Sequence, residues 1–218
     1  WQMFEKHMKD TEFQDVHILG TWVHGPGLIH ANKEVRTPAD MAGLKLRGGS
    51  RLASKLIEQL GGTPVGMPVP AVPEGLSKGV IDGTTIPWEV TKALKVPELV
   101  ENHTEYTGNA LYTLTFVLAM NKDRYESLSD ADKAEIDANS GLEFSVFAGG
   151  TMEDSDAGSR KIAADRGNNI VTLNAEETEA WKVAAQPVVD AWLADMESQG
   201  IDGQALIDEA RQLIADYK

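Results

Sequence analysis

The fold of this chain is decided by one stretch, Leu44-Lys45-Leu46-Arg47-Gly48-Gly49-Ser50. Apolar and polar side chains alternate along its first half, as they do in a half-buried strand. Ser50 is a typical N-cap, and leucine then recurs at every fourth position as far as Leu60, which is the pattern of an amphipathic helix. The stretch therefore predicts a strand followed by a helix, with Arg47 at the carboxyl end of the strand.

The alternation of strand and helix continues after this stretch. We predict, in order, a strand, a helix, a strand and a helix over Thr63–Met67, Ala71–Lys78, Val80–Gly83 and Pro87–Lys95. Strands and helices that alternate at this spacing indicate βαβ units and a mainly parallel sheet, and such sheets bind ligands at the carboxyl ends of their strands. Those ends are Arg47–Ser50 and Asp82–Thr85.

Further elements are predicted on both sides of this region. Before it, we expect a short helix at Met3–Met8, a strand at Val16–Trp22 and a return strand at Leu28–Asn32, so that the two strands form a hairpin or a crossover connection. After it, we expect a buried strand over Leu111–Asn121 and a capped helix that begins at Ser129.

The remainder is predicted to be mostly helical. An apolar stripe marks one long helix, at Trp181, Ala185, Val188, Trp192 and Met196. Pro187 should kink this helix, and a last amphipathic helix ends near Tyr217. The expected fold class is therefore α/β, with mainly parallel sheets flanked by helices and a long C-terminal helical segment.

The amino-acid composition excludes several classes of function. The 218 residues are 42% hydrophobic and 25% charged, which is typical of a globular protein with a real core. The 20 basic and 34 acidic residues give a formal net charge of -14, which argues against nucleic acid or an anionic membrane as the main partner. The absence of cysteine excludes a disulfide framework, a thiolate metal site and cysteine nucleophilic catalysis. No apolar run approaches the length of a membrane span, so we expect no membrane insertion.

Arg47 is the first candidate for binding chemistry. A guanidinium fork, two glycines that permit close approach and a helix N-terminus together suit a carboxylate, although an arginine that pairs with one of the many acids is the alternative. A second candidate is the loop Asp82–Thr85 with Pro87 and Trp88, which offers hydroxyls and an aromatic wall. There the alternative is that the polar residues cap the next helix and Trp88 fills the core.

Metal and catalytic chemistry have weaker support. His24 and His30 flank a Gly-Pro-Gly turn, but neither an HExxH pattern nor a carboxylate at ligand spacing accompanies them, so we expect no metal and no cofactor. No GxSxG elbow or phosphate-binding glycine loop is present. We interpret the clustered carboxylates as a solvated surface segment: Glu153, Asp154 and Asp156. An enzyme that uses His24 or His30 as a general base, oriented by Asp82, is the least favoured alternative.

Ordered motifs along nearly the whole chain resemble one family. They are Arg36–Gly48, Gly61–Pro68 and Gly79–Gly83, followed by Phe116–Asn121, Tyr125–Ser129 and the long tryptophan-bearing helix. In this order they are similar to the solute-binding proteins of tripartite ATP-independent periplasmic (TRAP) transporters, DctP type. The resemblance implies a two-lobed, periplasmic-binding-protein-like α/β fold in a secreted, monomeric protein that is not an enzyme. Such a protein closes around a small organic acid and delivers it to a sodium-coupled membrane permease.

The resemblance also implies where the acid binds. Arg47 holds the position of the arginine that forms a bidentate salt bridge to the ligand carboxylate in the family. The expected ligand-binding residues are Arg47, Thr84, Thr85, Ile86, Trp88, Trp22, His24 and Val69. Members that bind sialic acid have an asparagine at the position of Ile86, so sialic acid is not expected here. A smaller or more apolar monocarboxylate, such as an aromatic or a short 2-hydroxy or 2-oxo acid, fits a wall of Ile86 and Trp88 better.

The resemblance further predicts how the chain is divided. Family members are longer, and this chain resembles their C-terminal two-thirds, without the signal peptide and the first βαβ units. We expect residues 1–22 to end the first lobe and cross over, and residues 23–108 to form the second lobe, which carries Arg47. Residues 109–172 should return to the first lobe, and residues 173–218 should form the long kinked helix and the C-terminal helix. A receptor of the same fold that presents the acid to a sensor kinase is the alternative to transport.

Overall fold

The computed structural model describes residues 1–108 and 110–217. Its strands are β1 (Val16–Val23), β2 (Leu28–Ala31), β3 (Lys45–Gly48), β4 (Thr63–Gly66), β5 (Gly83–Ile86), β6 (Asn102–Tyr106), β7 (Thr115–Asn121) and β8 (Asn169–Leu173). Its α-helices are α1 (Gln2–His7), α2 (Arg51–Gln59), α3 (Val72–Ser77), α4 (Trp88–Ala93), α5 (Val96–Leu99), α6 (Lys122–Glu126), α7 (Asp130–Ala138), α8 (Gly141–Asp165), α9 (Ala175–Ser198) and α10 (Gly203–Asp216). Short 3-10 helices span Pro38–Met41 and Val69–Ala71. The expected lobe limits at residues 109 and 218 lie outside the described residues.

Six strands form the main sheet, in the order β4-β3-β5-β2-β6-β8. β3 pairs in parallel with β4 and β5, and β6 pairs in parallel with β8. Only β2 runs antiparallel to both of its neighbours in this sheet. The expected α/β class, with helices around a mainly parallel sheet, is therefore confirmed.

A second sheet consists of β1 and β7, which pair in antiparallel fashion from Val16–Asn121 to Val23–Thr115. Because β1 lies in this sheet and β2 lies in the main one, the segment between them crosses from one sheet to the other. The hairpin alternative for these two strands is wrong, and the crossover alternative is confirmed.

One predicted strand is displaced along the chain. We expected a strand at Val80–Gly83, but β5 begins at Gly83 because its pairing with β3 starts there, between Leu46 and Gly83. Asp82 lies at the amino end of β5, where its carboxylate accepts a hydrogen bond from the backbone N–H of Lys45 at 2.9 Å. Thr84 and Thr85 are thus strand residues, and the loop that we expected at Asp82–Thr85 is wrong.

Burial in the C-terminal half also differs from expectation. The strand predicted over Leu111–Asn121 begins only at Thr115, and its apolar residues are exposed rather than buried, with Phe116 at 36% and Leu118 at 40%. α9 continues through Pro187 from Ala175 to Ser198. No helix in the described part of the chain is apolar and long enough to cross a membrane.

Two apolar cores hold the helices on the main sheet. The larger core joins Ile29 and Leu46 of the sheet to Ile57 of α2 and Trp181 of α9. The smaller one joins Ile86 of β5 to the α5 region at Val96 and Val100. Because burial of one such side chain contributes about 1.5–3 kcal/mol, these cores fix the strand ends that carry the candidate site.

Candidate functional site

A row of buried polar residues crosses the main sheet. The strand register pairs Arg47 with Thr84, Thr84 with His30, and His30 with His103. Directly paired residues of neighbouring strands project to the same side of a sheet, so these four side chains share one face. Arg47 is 6% exposed and the other three are fully buried at 0%.

Arg47 stands in this row without an acid partner. Its Nε donates a hydrogen bond to the carbonyl of Met67 at 3.2 Å, and among the described residues it forms no ion pair with a carboxylate. The alternative in which Arg47 pairs with one of the chain's acids is therefore not found. Burial lowers the pKa of the guanidinium. A buried cation is costly unless it is paired, so this one suits an incoming carboxylate.

Gly49 keeps the space beside the guanidinium open. A Cβ atom at this position would lie 3.1 Å from Arg47 Nη1 and 3.0 Å from a methyl group of Leu114. The absence of a side chain here thus allows close approach to the fork, as the sequence predicted.

Thr84 and Thr85 flank the arginine differently. The Thr84 hydroxyl is buried and has no hydrogen-bond partner among the described residues. The Thr85 hydroxyl donates to the carbonyl of Arg47 at 3.0 Å, so it fixes the arginine's backbone. A buried hydroxyl without a partner beside a buried cation without an acid partner is the arrangement that a bound polar ligand would complete.

Tyr112 is a member of the site that sequence reasoning missed. Its hydroxyl donates to the carbonyl of Thr85 at 2.7 Å, and it lies close enough to Arg47 for the two to interact electrostatically. Burial raises the pKa of Tyr112 to about 12, so the phenol is neutral at pH 7. The ring comes this close because residue 27 is glycine; a Cβ atom there would lie 2.5 Å from Tyr112 Cε1.

His24, which follows β1 of the two-stranded sheet, approaches this tyrosine, whereas the contacts of Trp22 are with Phe116, Phe144 and Met152. The His24 ring packs edge-on against Tyr112 at 5.5 Å between ring centres. Its Nδ1 lies 2.5 Å from the carbonyl of Gly25, whereas its Nε2 is buried and has no partner in the described chain. Trp22 stacks on Phe116 at 5.8 Å. His24 therefore connects the two-stranded sheet, through Tyr112, to the side of Arg47.

Ile86 and Trp88 lie in the interior. Trp88 is 4% exposed, packs against His30 and His103 at 4.9 and 5.0 Å, and donates its Nε1–H to Glu105 at 2.8 Å. Trp88 thus fills the core, which is the alternative that we gave for this segment. Val69 is half-buried in the 3-10 turn that follows Met67, the residue whose carbonyl binds Arg47.

The two buried histidines form one defined chain of hydrogen bonds. His30 Nε2 lies 3.1 Å from the carbonyl of Ile86, which can only accept, so His30 Nε2 carries the proton. His30 Nδ1 then accepts from His103 Nδ1 at 2.7 Å, and His103 Nε2 accepts from the amide of Asn168 at 2.9 Å. Burial lowers the pKa of His30 to about 3 and that of His103 to about 4, so both rings are neutral.

The hydrogen bonds of His24, His30 and Asp82 test the alternative in which a histidine acts as a general base. Asp82 bonds to the Lys45 N–H, whereas His24 and His30 bond to carbonyls and to His103, so the general-base arrangement with Asp82 is wrong. The described residues contain no group of three or more His, Asp or Glu side chains that could hold a metal ion.

One expectation about the acidic residues is wrong for Asp156. Its Oδ1 accepts the backbone N–H of Glu89, the second residue of α4, at 2.8 Å, and burial raises the pKa of the carboxyl group. The Glu89 carboxyl is also half-buried, and burial together with Asp156 raises its pKa to about 7. Only Glu153 and Asp154 of the predicted surface segment are exposed.

Several solved structures are similar to this chain. A TRAP solute-binding protein from Rhodoferax ferrireducens T118 with copurified benzoate is 44% identical, with a TM-score of 0.94 over 99% of this chain and 67% of that one. A marine metagenome TRAP protein specific for aromatic acid ligands, in complex with 3-hydroxybenzoate, is 39% identical, with a TM-score of 0.93 over 100% and 68%. A Bordetella bronchiseptica TRAP protein with bound mandelate is 30% identical, with a TM-score of 0.90 over 100% and 70%.

Characterised relatives and a family model agree with these structures. The outer membrane transporter protein TsaT of Comamonas testosteroni is 29% identical over 95% of this chain, which spans 62% of that relative's length. The C4-dicarboxylate-binding periplasmic protein DctP of Rhodobacter capsulatus is 27% identical over 82% of this chain and 53% of the relative. The model of the bacterial extracellular solute-binding proteins, family 7 (DctP), matches residues 2–195. This chain therefore belongs to the DctP family of TRAP transporter solute-binding proteins, whose members are not enzymes.

Proposed function

We propose that this protein captures an aromatic monocarboxylate in the periplasm and delivers it to a sodium-coupled TRAP permease. The observation that carries the proposal is Arg47, a 6% exposed guanidinium that forms no ion pair within the described chain. A carboxylate that meets this fork forms two charge-assisted hydrogen bonds in a water-poor site. Relatives at 30–44% identity that hold benzoate, 3-hydroxybenzoate or mandelate support an aromatic acid.

The proposed site combines one cation with a largely neutral surround. Tyr112 and the Thr84 hydroxyl are uncharged polar groups beside the fork, and His24 is held neutral because burial lowers its pKa. A second carboxylate on the ligand would find no buried basic partner in this set. The charge balance therefore favours a monocarboxylate over a dicarboxylate.

Capture is proposed to end with closure of two lobes. In this proposal residues 23–108 form the lobe that carries Arg47, and the two-stranded sheet belongs to the opposing lobe. Closure would exclude water from the guanidinium and carboxylate, which strengthens their interaction because the local dielectric constant falls.

A calorimetric comparison of four compounds tests the ligand class: benzoate, mandelate, malate and benzamide. We expect saturable binding of benzoate and mandelate and no binding of benzamide, which keeps the ring but lacks the charge. Tighter binding of malate than of benzoate, or equal binding of benzamide, would refute the proposal. Uptake of labelled benzoate by the protein with its permease should require an imposed sodium gradient, and sodium-independent uptake would contradict the coupling.

A further inference from the structure

Two carboxyl groups meet where α4 and α8 pack together. The Asp156 carboxylate accepts the N–H of Glu89 through Oδ1, and its Oδ2 lies directly against the Cα of Gly25, where no Cβ could fit. Burial together with Asp156 raises the pKa of Glu89 to about 7. Glu89 can therefore hold a proton near neutral pH, and its carboxyl group can then donate a hydrogen bond.

This pair lies beside the proposed ligand site. Glu89 is close enough to Tyr112 to affect its ionisation, and Tyr112 in turn interacts with Arg47. On the other side, His24 packs on Tyr112 and interacts electrostatically with Asp156. A continuous set of side chains thus leads from the guanidinium to the two carboxyl groups.

The set has unused hydrogen-bonding capacity. Glu89 Oε2 is buried and unpartnered among the described residues, and so is Nε2 of His24, a side chain that is only 6% exposed. Buried polar atoms are rarely left without partners, because an unmade hydrogen bond in the interior is costly. Two such atoms within one set of neighbouring side chains therefore point to a polar group that is supplied from outside the chain.

Resting on the proposed function, we propose that Glu89, Asp156 and His24 form a second recognition point that binds a ligand hydroxyl and rejects a second carboxylate. His24 Nδ1 faces the carbonyl of Gly25 and so carries the ring proton, which leaves Nε2 as an acceptor. A ligand hydroxyl can donate to His24 Nε2 and accept from the protonated Glu89 carboxyl, so it can satisfy both free atoms. A carboxylate at the same place would meet the remaining negative charge of the pair, with Glu153 adding to it from the same helix. The expected ligand is a hydroxylated aromatic monocarboxylate.

The test compares three acids of one shape by calorimetry: benzoate, 3-hydroxybenzoate and benzene-1,3-dicarboxylate. The wild-type protein should bind 3-hydroxybenzoate about tenfold more tightly than benzoate, the equivalent of one net hydrogen bond, and should bind the dicarboxylate least. Glu89→Leu should abolish the preference for the hydroxyl. The double variant Glu89→Gln/Asp156→Asn, which keeps hydrogen bonding but removes the remaining charge, should raise the affinity for the dicarboxylate relative to benzoate about tenfold.

A neighbouring acid on the same helix supplies the matched control. Asp154 is exposed and forms no hydrogen bond or ion pair with Glu89, Asp156 or His24, so Asp154→Asn should leave both affinity ratios unchanged. If both affinity ratios in the Glu89 variants equal those of the wild type while benzoate still binds, this inference is overturned and the proposed function stands. If none of the three acids binds the wild-type protein, the proposed function itself fails and this inference falls with it.

Discussion

Replacement of Arg47 by alanine should remove most of the affinity for the carboxylate. The guanidinium has one N–H on the Met67 carbonyl, which leaves its two terminal nitrogens for the ligand. Two charge-assisted hydrogen bonds at about 1.5–3 kcal/mol each, lost together from a buried site, give about 3–6 kcal/mol. This corresponds to a rise in Kd of about 100- to 20,000-fold for benzoate, measured by isothermal titration calorimetry.

Two further variants show whether binding depends on the positive charge of Arg47, on its planar guanidinium or only on a nearby arginine. Arg47→Lys keeps the positive charge but loses the planar fork, so its Kd should lie between those of the wild type and the alanine variant. Arg51→Ala is the matched control, because Arg51 is an exposed residue of the first turn of α2 and lies only four positions further along. Circular dichroism should show folded protein in every case. A Kd for Arg47→Ala within threefold of the wild type, with the fold intact, would refute the role of Arg47.

Two other predictions concern stability. His30 and His103 have lowered pKa values of about 3 and about 4 in the folded chain. As the pH falls below about 6.5, these two side chains are therefore protonated in the unfolded chain but not in the folded chain. The free energy of unfolding, measured in urea, should therefore fall between pH 7 and pH 5. The raised pKa of Glu89 has the opposite effect, so the fall should be steeper in Glu89→Gln. A flat profile in that variant would contradict the neutral state of His30 and His103. Gly27→Ala should destabilise the protein by about 1–3 kcal/mol because the new methyl group overlaps the Tyr112 ring, and an unchanged urea midpoint would show that the two do not touch.

Local patterns were sufficient where a segment's own chemistry decides its structure. The Ser50 side chain accepts the Ala53 N–H at 3.1 Å as the cap of α2, and Arg47 stands at the carboxyl end of β3 as predicted. These features depend on capping, on glycine and on periodicity, all of which are read from neighbouring residues.

Where a strand begins depends on its pairing with strands that are distant in the sequence, and the local pattern does not predict this pairing. Val80 and Ile81 have the composition of a strand, but Val80 is 51% exposed and Ile81 packs against Gly75, while the ladder with β3 starts later. The residues of β6, Asn-His-Thr-Glu-Tyr, show no apolar alternation at all. That strand is held by backbone pairing with β2 and β8 on its two edges, and the guanidinium of Arg160 in addition binds Glu105 at 2.6 and 2.9 Å.

The missed members of the candidate site have a similar origin. Tyr112 lies in an apolar run that resembles a strand, and nothing near it in the sequence indicates the contact with Thr85. Glu89 and Asp156 are 67 positions apart and meet only because α4 packs on α8. The sequence alone does not reveal such a pair, because the pKa values of the two carboxyl groups are raised by burial, which depends on how the helices pack.

A crystal structure of the protein with 3-hydroxybenzoate is the most direct test of the central claim. The account predicts that both carboxylate oxygens lie within about 3.2 Å of the terminal nitrogens of Arg47, with the ring beside Tyr112. A ligand whose carboxylate binds elsewhere, while Arg47 contacts only the Met67 carbonyl, would contradict it.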